Sequence, residues 1–199
     1  MKEIKYPNRI KVGGRTSSMT NAFYNGILPV VKHSKEEEKK LKALLNYDDT
    51  KGWQCIYCGK PANTFDHLNS LIKDKQPTGY FSEPGNLVPS CNSCNSSKGK
   101  KHWQEFMDTA LNNYKNNNPK KLKIDNSQYD KAVKQLKGFE KKFKAKKINF
   151  NNQSHVSEKM AEHQQKLNRI LKAIEESKKI ENELIHLIEE NLHTLTYKK

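Results

Sequence analysis

Two C-x-x-C pairs, Cys55/Cys58 and Cys91/Cys94, constrain this chain more than any other feature, and they contain all of its cysteines. A C-x-x-C turn puts two sulfurs on one side of a tight loop. Two such turns a few tens of residues apart complete a tetrahedron around Zn2+. Four thiolates leave no open coordination position, so the expected zinc is structural. Disulfides would need an oxidising compartment. The N-terminal MKEIKYPNRIKVGG has no apolar stretch of a secretion signal, which favours reduced thiols and a cytoplasmic location. A thioredoxin-type redox site needs one C-x-x-C in a βαβ context, which this pattern lacks.

The segment between the pairs reads as secondary structure in a fixed order. Ala62-Asn63-Thr64-Phe65-Asp66-His67-Leu68 has the β-branched and aromatic content of a short strand. Asn86-Leu87-Val88-Pro89 predicts a second, after turns marked by Gly79 and Pro84-Gly85. From Asn95 onward a helix is predicted, with Trp103, Phe106, Met107, Ala110 and Leu111 at three-and-four spacing. The order is strand, long loop, strand, helix, with a cysteine knuckle at each base.

These residues resemble the HNH, or ββα-metal, nuclease family between Trp53 and Trp103. The shared pattern is C-x-x-C, then Asp66-His67, then G-N-L-V-P-x-C-x-x-C-N-x-x-K-G. The longer string from Gly79 to Trp103 is similar to the HNH group of type II restriction endonucleases. The resemblance implies a general base at His67 and carboxylate ligation of a divalent ion, Mg2+ or Mn2+, by Asp66. It implies a second ligand at Asn95, where many family members have His. It makes Asn86 the middle residue, which fixes the loop carrying His67 by hydrogen bonds without touching the ion.

The chemistry of the residues agrees with those roles. Phosphodiester hydrolysis needs an activated water and a cation beside the developing charge. Imidazole titrates near neutrality, and a hard cation prefers oxygen donors such as a carboxylate and an amide. Neighbouring positions on a flat strand face opposite ways, so a bend or bulge is expected at Asp66-His67. The plainer alternatives are a structural histidine at His67 and a helix N-cap at Asn95. Lys98, Lys100 and Lys101 are candidate phosphate contacts, with solvated surface charge as the alternative.

The rest of the chain supplies scaffold and charge. Lys plus Arg is 37 against 22 Asp plus Glu, a net +15 that suits a polyanionic partner. No apolar run is long enough for a membrane span. Residues 1–33 include a basic stretch from Asn8 to Lys11 and the polar cluster Arg15-Thr16-Ser17-Ser18; they read as a loop or as an arm that reaches DNA. Ser34 and Glu37 fit a capping box that opens a helix from Lys35 to about Tyr47. In the 69–85 loop, Lys73, Lys75 and Tyr80-Phe81 fit either a nucleic-acid backbone or a loop pinned to the core. Asn112–Lys121 reads as a linker broken by Pro119.

Tyr129, Val133, Leu136, Phe139 (or Glu140) and Phe143 predict a lysine-rich amphipathic helix suited to lying along DNA. From His155 to Leu195 the pattern is helical again, through Met160, Leu167, Ile170, Leu171, Ile174, Ile180, Leu184, Ile185, Leu187, Ile188, Leu192 and Leu195. Ser177 and Lys178 interrupt the stripe, so one kinked helix or two are expected. This region serves either self-packing or a homodimer.

The fold expected is α+β and mostly helical: a central ββα-metal motif stapled by a four-cysteine zinc site, with helices on either side. Four segments are expected: 1–52 as arm and helix, 53–116 as the metal-bound module, 117–150 as a basic helical segment, and 151–199 as a C-terminal amphipathic region. The function implied is metal-dependent cleavage of double-stranded DNA, most closely of restriction type. The rivals are a homing, phage or toxin nuclease and a non-catalytic zinc-dependent nucleic-acid-binding module.

Overall fold

The computed structural model describes residues 11–119 and 121–191. Asn8 to Ile10, Lys120, Leu192 and Leu195 lie outside the described residues. The fold is α+β and mostly helical, with the four cysteines clustered beside the small central sheet. It divides into two compact units, residues 27–149 and residues 11–26 with 150–191.

The first helix of the larger unit is α2 (Lys35–Leu45); α1 (Thr16–Asn25) belongs to the other unit. Its capping box is present: Glu37 N–H donates to Ser34 Oγ at 3.2 Å, and Ser34 N–H donates to Glu37 Oε2 at 2.8 Å. The helix ends two residues before the expected Tyr47, because Asn46 turns left-handed at φ 51°. Leu41 is its buried contact. Strand β1 (Thr64–His67) then pairs antiparallel with β4 (Leu87–Ser90), with Asp66 opposite Val88 and His67 opposite Leu87. The register is one-to-one throughout, so no bulge interrupts the ladder at Asp66-His67, where a bend or bulge was expected.

The long loop between these strands carries a hairpin of its own, β2 (Ile72–Lys73) and β3 (Gln76–Pro77). Asp74 and Lys75 make its turn at φ 51° and 63°, the doubly left-handed geometry that matches strand twist. Lys73 and Lys75 are exposed, whereas Tyr80 and Phe81 are half-buried. The loop is locked by the segment after the last helix of this unit. Ile148 N–H donates to Gly79 O at 2.8 Å, and Lys146 N–H donates to Glu83 Oε1 at 3.0 Å.

After β4 come α3 (Asn92–Lys98) and α4 (Trp103–Lys115). One continuous helix from Asn95 was expected; Gly99 breaks it at φ 53°, and His102 starts the next by accepting from Gln104 N–H. Trp103, Phe106, Met107 and Ala110 are buried, as their spacing predicts. Helix α4 continues through Asn112–Lys115, so the expected linker is shorter at that end. Helix α5 (Asn126–Lys142) is capped by Asp125 and buries Ala132, Leu136 and Phe139, with Phe143 buried just beyond its end. These residues, with Ile56, Tyr57, Leu68 and Val88, form one continuous apolar core.

The second unit holds a 3-10 turn (Val12–Arg15), α1 (Thr16–Asn25) and α6 (Ser154–Glu190). The polar run Thr16-Ser17-Ser18 opens a helix, where a loop or extended arm was expected. Helix α6 is unbroken through Ser177 and Lys178. Its Leu167 and Leu171 are buried, and His163 Nε2 meets Phe23 O at 2.8 Å. Ile180, Leu184, Leu187 and Ile188 remain about half exposed. Among the described residues, no helix is long and apolar enough to cross a membrane.

Candidate functional site

Both cysteine pairs converge. The four sulfurs lie within 4.8 Å of one another, and Cys58 Sγ is 3.7 Å from Cys91 Sγ. Zinc–sulfur bonds of about 2.3 Å in a tetrahedron require sulfur separations near 3.8 Å, so the cage has the right size. The knuckle turns are built locally. Gly59 N–H donates to Cys55 O at 2.9 Å with Gly59 at φ 70°, and Cys91 caps α3 by accepting from Cys94 N–H. Cys55 is driven far below the ordinary thiol range by hydrogen bonds from Cys58 and Cys94. Cys58 is pushed up to about 11, chiefly by its bond to Cys55, and Cys94 is pushed further up. Four thiols gathered this closely are the donor set that a zinc ion takes as thiolates. Among the described residues this is the one cluster of three or more His, Cys, Asp or Glu with ligand spacing.

Asp66 lies on β1 and is 3% exposed. Its Oδ2 accepts from Tyr57 Oη at 2.6 Å and pairs with Lys98 Nζ at 3.1 Å. Burial pushes its carboxyl upward, and the Lys98 ammonium and Tyr57 hydroxyl pull it back. Tyr57 is itself raised well above the ordinary phenol value, first by burial and then by the Asp66 charge, so it remains a donor. Lys98 also donates to His67 O at 2.7 Å.

Lys98 was a candidate for a phosphate contact, with a solvated surface charge as the alternative. It is instead 1% exposed, and its ammonium is held by Asp66 and the His67 carbonyl. Lys100 is exposed, 3.8 Å from an equally exposed Asp74, and Lys101 is half-buried.

Asn95 lies one turn inside α3, so it is not the N-cap; Cys91 is. Its Nδ2 donates to Phe65 O at 3.4 Å, one peptide from Asp66. Asn95 and Lys98 are three apart and share the face of α3 that meets β1. The structure thus brings Asp66, Asn95 and Lys98 to one β1–α3 seam. The donor set suits a hard divalent ion: a carboxylate with Oδ1 making no hydrogen bond among the described residues, and an amide oxygen. Two such ligands leave positions for water and phosphate oxygens.

The His67 side chain takes a different partner. Its Nε2 meets Ser82 Oγ at 2.8 Å. Burial, and then the nearby Lys98 charge, lower it from the ordinary 6.5 to about 4. The ring is therefore neutral at physiological pH. Ser82 is in turn tied down, since Val31 N–H donates to its carbonyl at 2.7 Å. Asn86 is fully buried and ties both ends of the loop. Asn69 N–H donates to its Oδ1 at 2.7 Å, and its Nδ2 donates to Asn69 O at 3.0 Å and Phe81 O at 3.1 Å.

Sequence reasoning missed Tyr57, Ser82 and the burial of Lys98. Tyr57 stood inside a cysteine knuckle and read as filler. Ser82 is one of several serines in a polar loop, and nothing local marked it.

The four-cysteine cage is thus joined to a β-β-α unit whose first strand carries a buried carboxylate and a histidine. Residues 55–101 match the family model described as HNH endonuclease, so the chain carries an HNH endonuclease domain. That domain points to a metal-dependent nuclease with DNA as a fitting partner. No curated protein and no solved structure matches the chain.

Proposed function

We propose that the chain is a metal-dependent DNA endonuclease of restriction type, with His67 as general base and Asp66 and Asn95 as ligands of Mg2+ or Mn2+. The observation that carries this reading is the half-buried His67 ring, its Nε2 held 2.8 Å from Ser82 Oγ, one residue from a buried carboxylate inside the matched domain. With the ring proton on Nδ1, Nε2 is the acceptor and already meets a hydroxyl at hydrogen-bond distance. His67 removes a proton from water as the water oxygen bonds to phosphorus. The P–O3′ bond breaks, the 3′ oxygen leaves and takes a proton from solvent, and the 5′ phosphate remains on the other fragment. The ion, when bound, neutralises charge on the phosphoryl and departing oxygens. Asn86 and Ser82 hold the loop and the ring in place. Lys100 and Lys101 supply charge for the backbone.

The internal ion pair of Asp66 with Lys98 favours a second reading, a zinc-dependent nucleic-acid-binding module without catalysis. Plasmid cleavage in Mg2+ or Mn2+ by wild type and His67→Ala decides between them. Cutting by wild type alone supports the nuclease. Equal cutting by both removes His67 from the mechanism, and no cutting by either favours the binding module. Sequencing the digested ends then tests the restriction assignment, which requires a fixed site.

A further inference from the structure

Asp66 Oδ2 is already occupied by two donors from two different elements. Lys98 comes from α3, which the ion-binding reading already includes. Tyr57 comes from the zinc knuckle itself, between Cys55 and Cys58. Its phenol is fully buried and lies 2.6 Å from the carboxylate. The rest of the residue is held as firmly. Its ring meets Phe106 edge-on at 5.2 Å, and its carbonyl accepts from Gln128 Nε2 at 3.0 Å. The residue before it, Ile56, donates its N–H to Pro89 O at 3.0 Å on β4. These contacts hold the Tyr57 ring and backbone beside Asp66.

We infer that Tyr57 is a positioning residue for the divalent ion of the proposed nuclease site: it transmits the geometry of the zinc cage to Asp66 and fixes which carboxylate oxygen faces the ion. This rests on the reading of Asp66 as an ion ligand. Oδ2 is turned inward by Tyr57 and Lys98, so Oδ1 is the oxygen left to bind, as a single donor. Outer-sphere hydrogen bonds that orient a ligand commonly govern metal affinity by about 10–100-fold. The carboxylate of a Tyr57→Phe chain keeps Lys98 but loses the directional donor, so it samples orientations that point Oδ1 away from the seam.

The test uses the full chain loaded with zinc. Mn2+ binding is titrated by electron paramagnetic resonance in wild type, Tyr57→Phe and Asp66→Ala, with zinc content and DNA cleavage measured on the same samples. Tyr57→Phe is expected to keep its zinc, to weaken Mn2+ binding by about 10-fold or more, and to recover most of its cleavage rate at saturating Mn2+. Unchanged Mn2+ affinity in Tyr57→Phe, with Asp66→Ala abolishing binding, overturns the inference and leaves the ion-site reading standing. Loss of zinc from Tyr57→Phe also overturns it, because the residue would then serve the cage alone. Absence of an Asp66-dependent Mn2+ site in wild type overturns the ion-site reading and this inference with it.

Discussion

Lys98 and Asp66 form a buried ion pair, Nζ to Oδ2 at 3.1 Å, with side chains 0% and 4% exposed. Two charges removed from water are tolerable only together. Breaking such a pair by deleting one partner costs about 3–5 kcal/mol, because the other is left uncompensated. Lys98→Met should destabilise the zinc-loaded chain by about that amount in urea unfolding. Lys98→Met combined with Asp66→Asn should recover part of the loss. Lys100→Met at the exposed Asp74 pair should stay within about 0.5 kcal/mol. A Lys98 that contacted phosphate would give a different result: little change in stability, and a DNA-binding salt slope lower by about 0.9.

That pair also shows where sequence reasoning stops. The cysteines were legible because each knuckle is local, and the Ser34 capping box and the Trp103 stripe were legible for the same reason. Lys98 sits in a lysine-rich run, and nothing within that run reveals that its partner lies on a strand thirty-odd residues away. Asp66 and His67 were legible as a dipeptide but not in their surroundings. Tyr57 and Ser82 acquire roles only when β1 pairs with β4 and the loop closes. The break between α3 and α4 depends on Gly99 adopting a left-handed φ, which its sequence neighbours permit but do not impose. The hairpin of Asp74-Lys75 lacks the glycine that usually signals its turn.

His67 couples the site to pH. Its folded value is about 4, against 6.5 in a solvated ring. Between those values the unfolded chain binds more protons than the folded one, so stability rises with pH there. Descending from pH 6.5 to pH 4 therefore costs the fold about 3 kcal/mol through this group. Urea unfolding of wild type and His67→Asn across that window should show wild type losing this much more, since acid effects on the shared cysteines cancel in the difference. The ring resonance should titrate near 4. A midpoint between 6 and 7 would mean that the imidazole is solvated, and the case for a desolvated base would go with it. For cleavage, the neutral base is present throughout the neutral range, so no loss of rate attributable to His67 is expected at pH 6.5.

Gly85 connects the loop that carries Ser82 to the segment that locks it. A Cβ there would stand 2.7 Å from Lys144 O and 2.8 Å from Lys144 C, backbone atoms that cannot rotate aside. Gly85→Ala must push residues 144–145 away from the loop, at a cost of about 1–3 kcal/mol by the usual scale of overpacking. The effect should not end at stability. Gly85 N–H donates to Glu83 Oε2 at 2.9 Å, and Glu83 Oε1 accepts from Lys146 N–H, so the same displacement loosens the turn beside Ser82. With that hydroxyl less fixed, water reaches the His67 ring and its titration should move from about 4 toward 6.5. Nuclear magnetic resonance titration of His67 in Gly85→Ala reads the shift directly. Gly14→Ala, where a Cβ meets nothing within 4 Å, serves as the control and should leave both stability and the His67 titration unchanged. A Gly85→Ala chain that unfolds more easily yet titrates at the wild-type midpoint would show that the lock supports the fold without holding the ring dry.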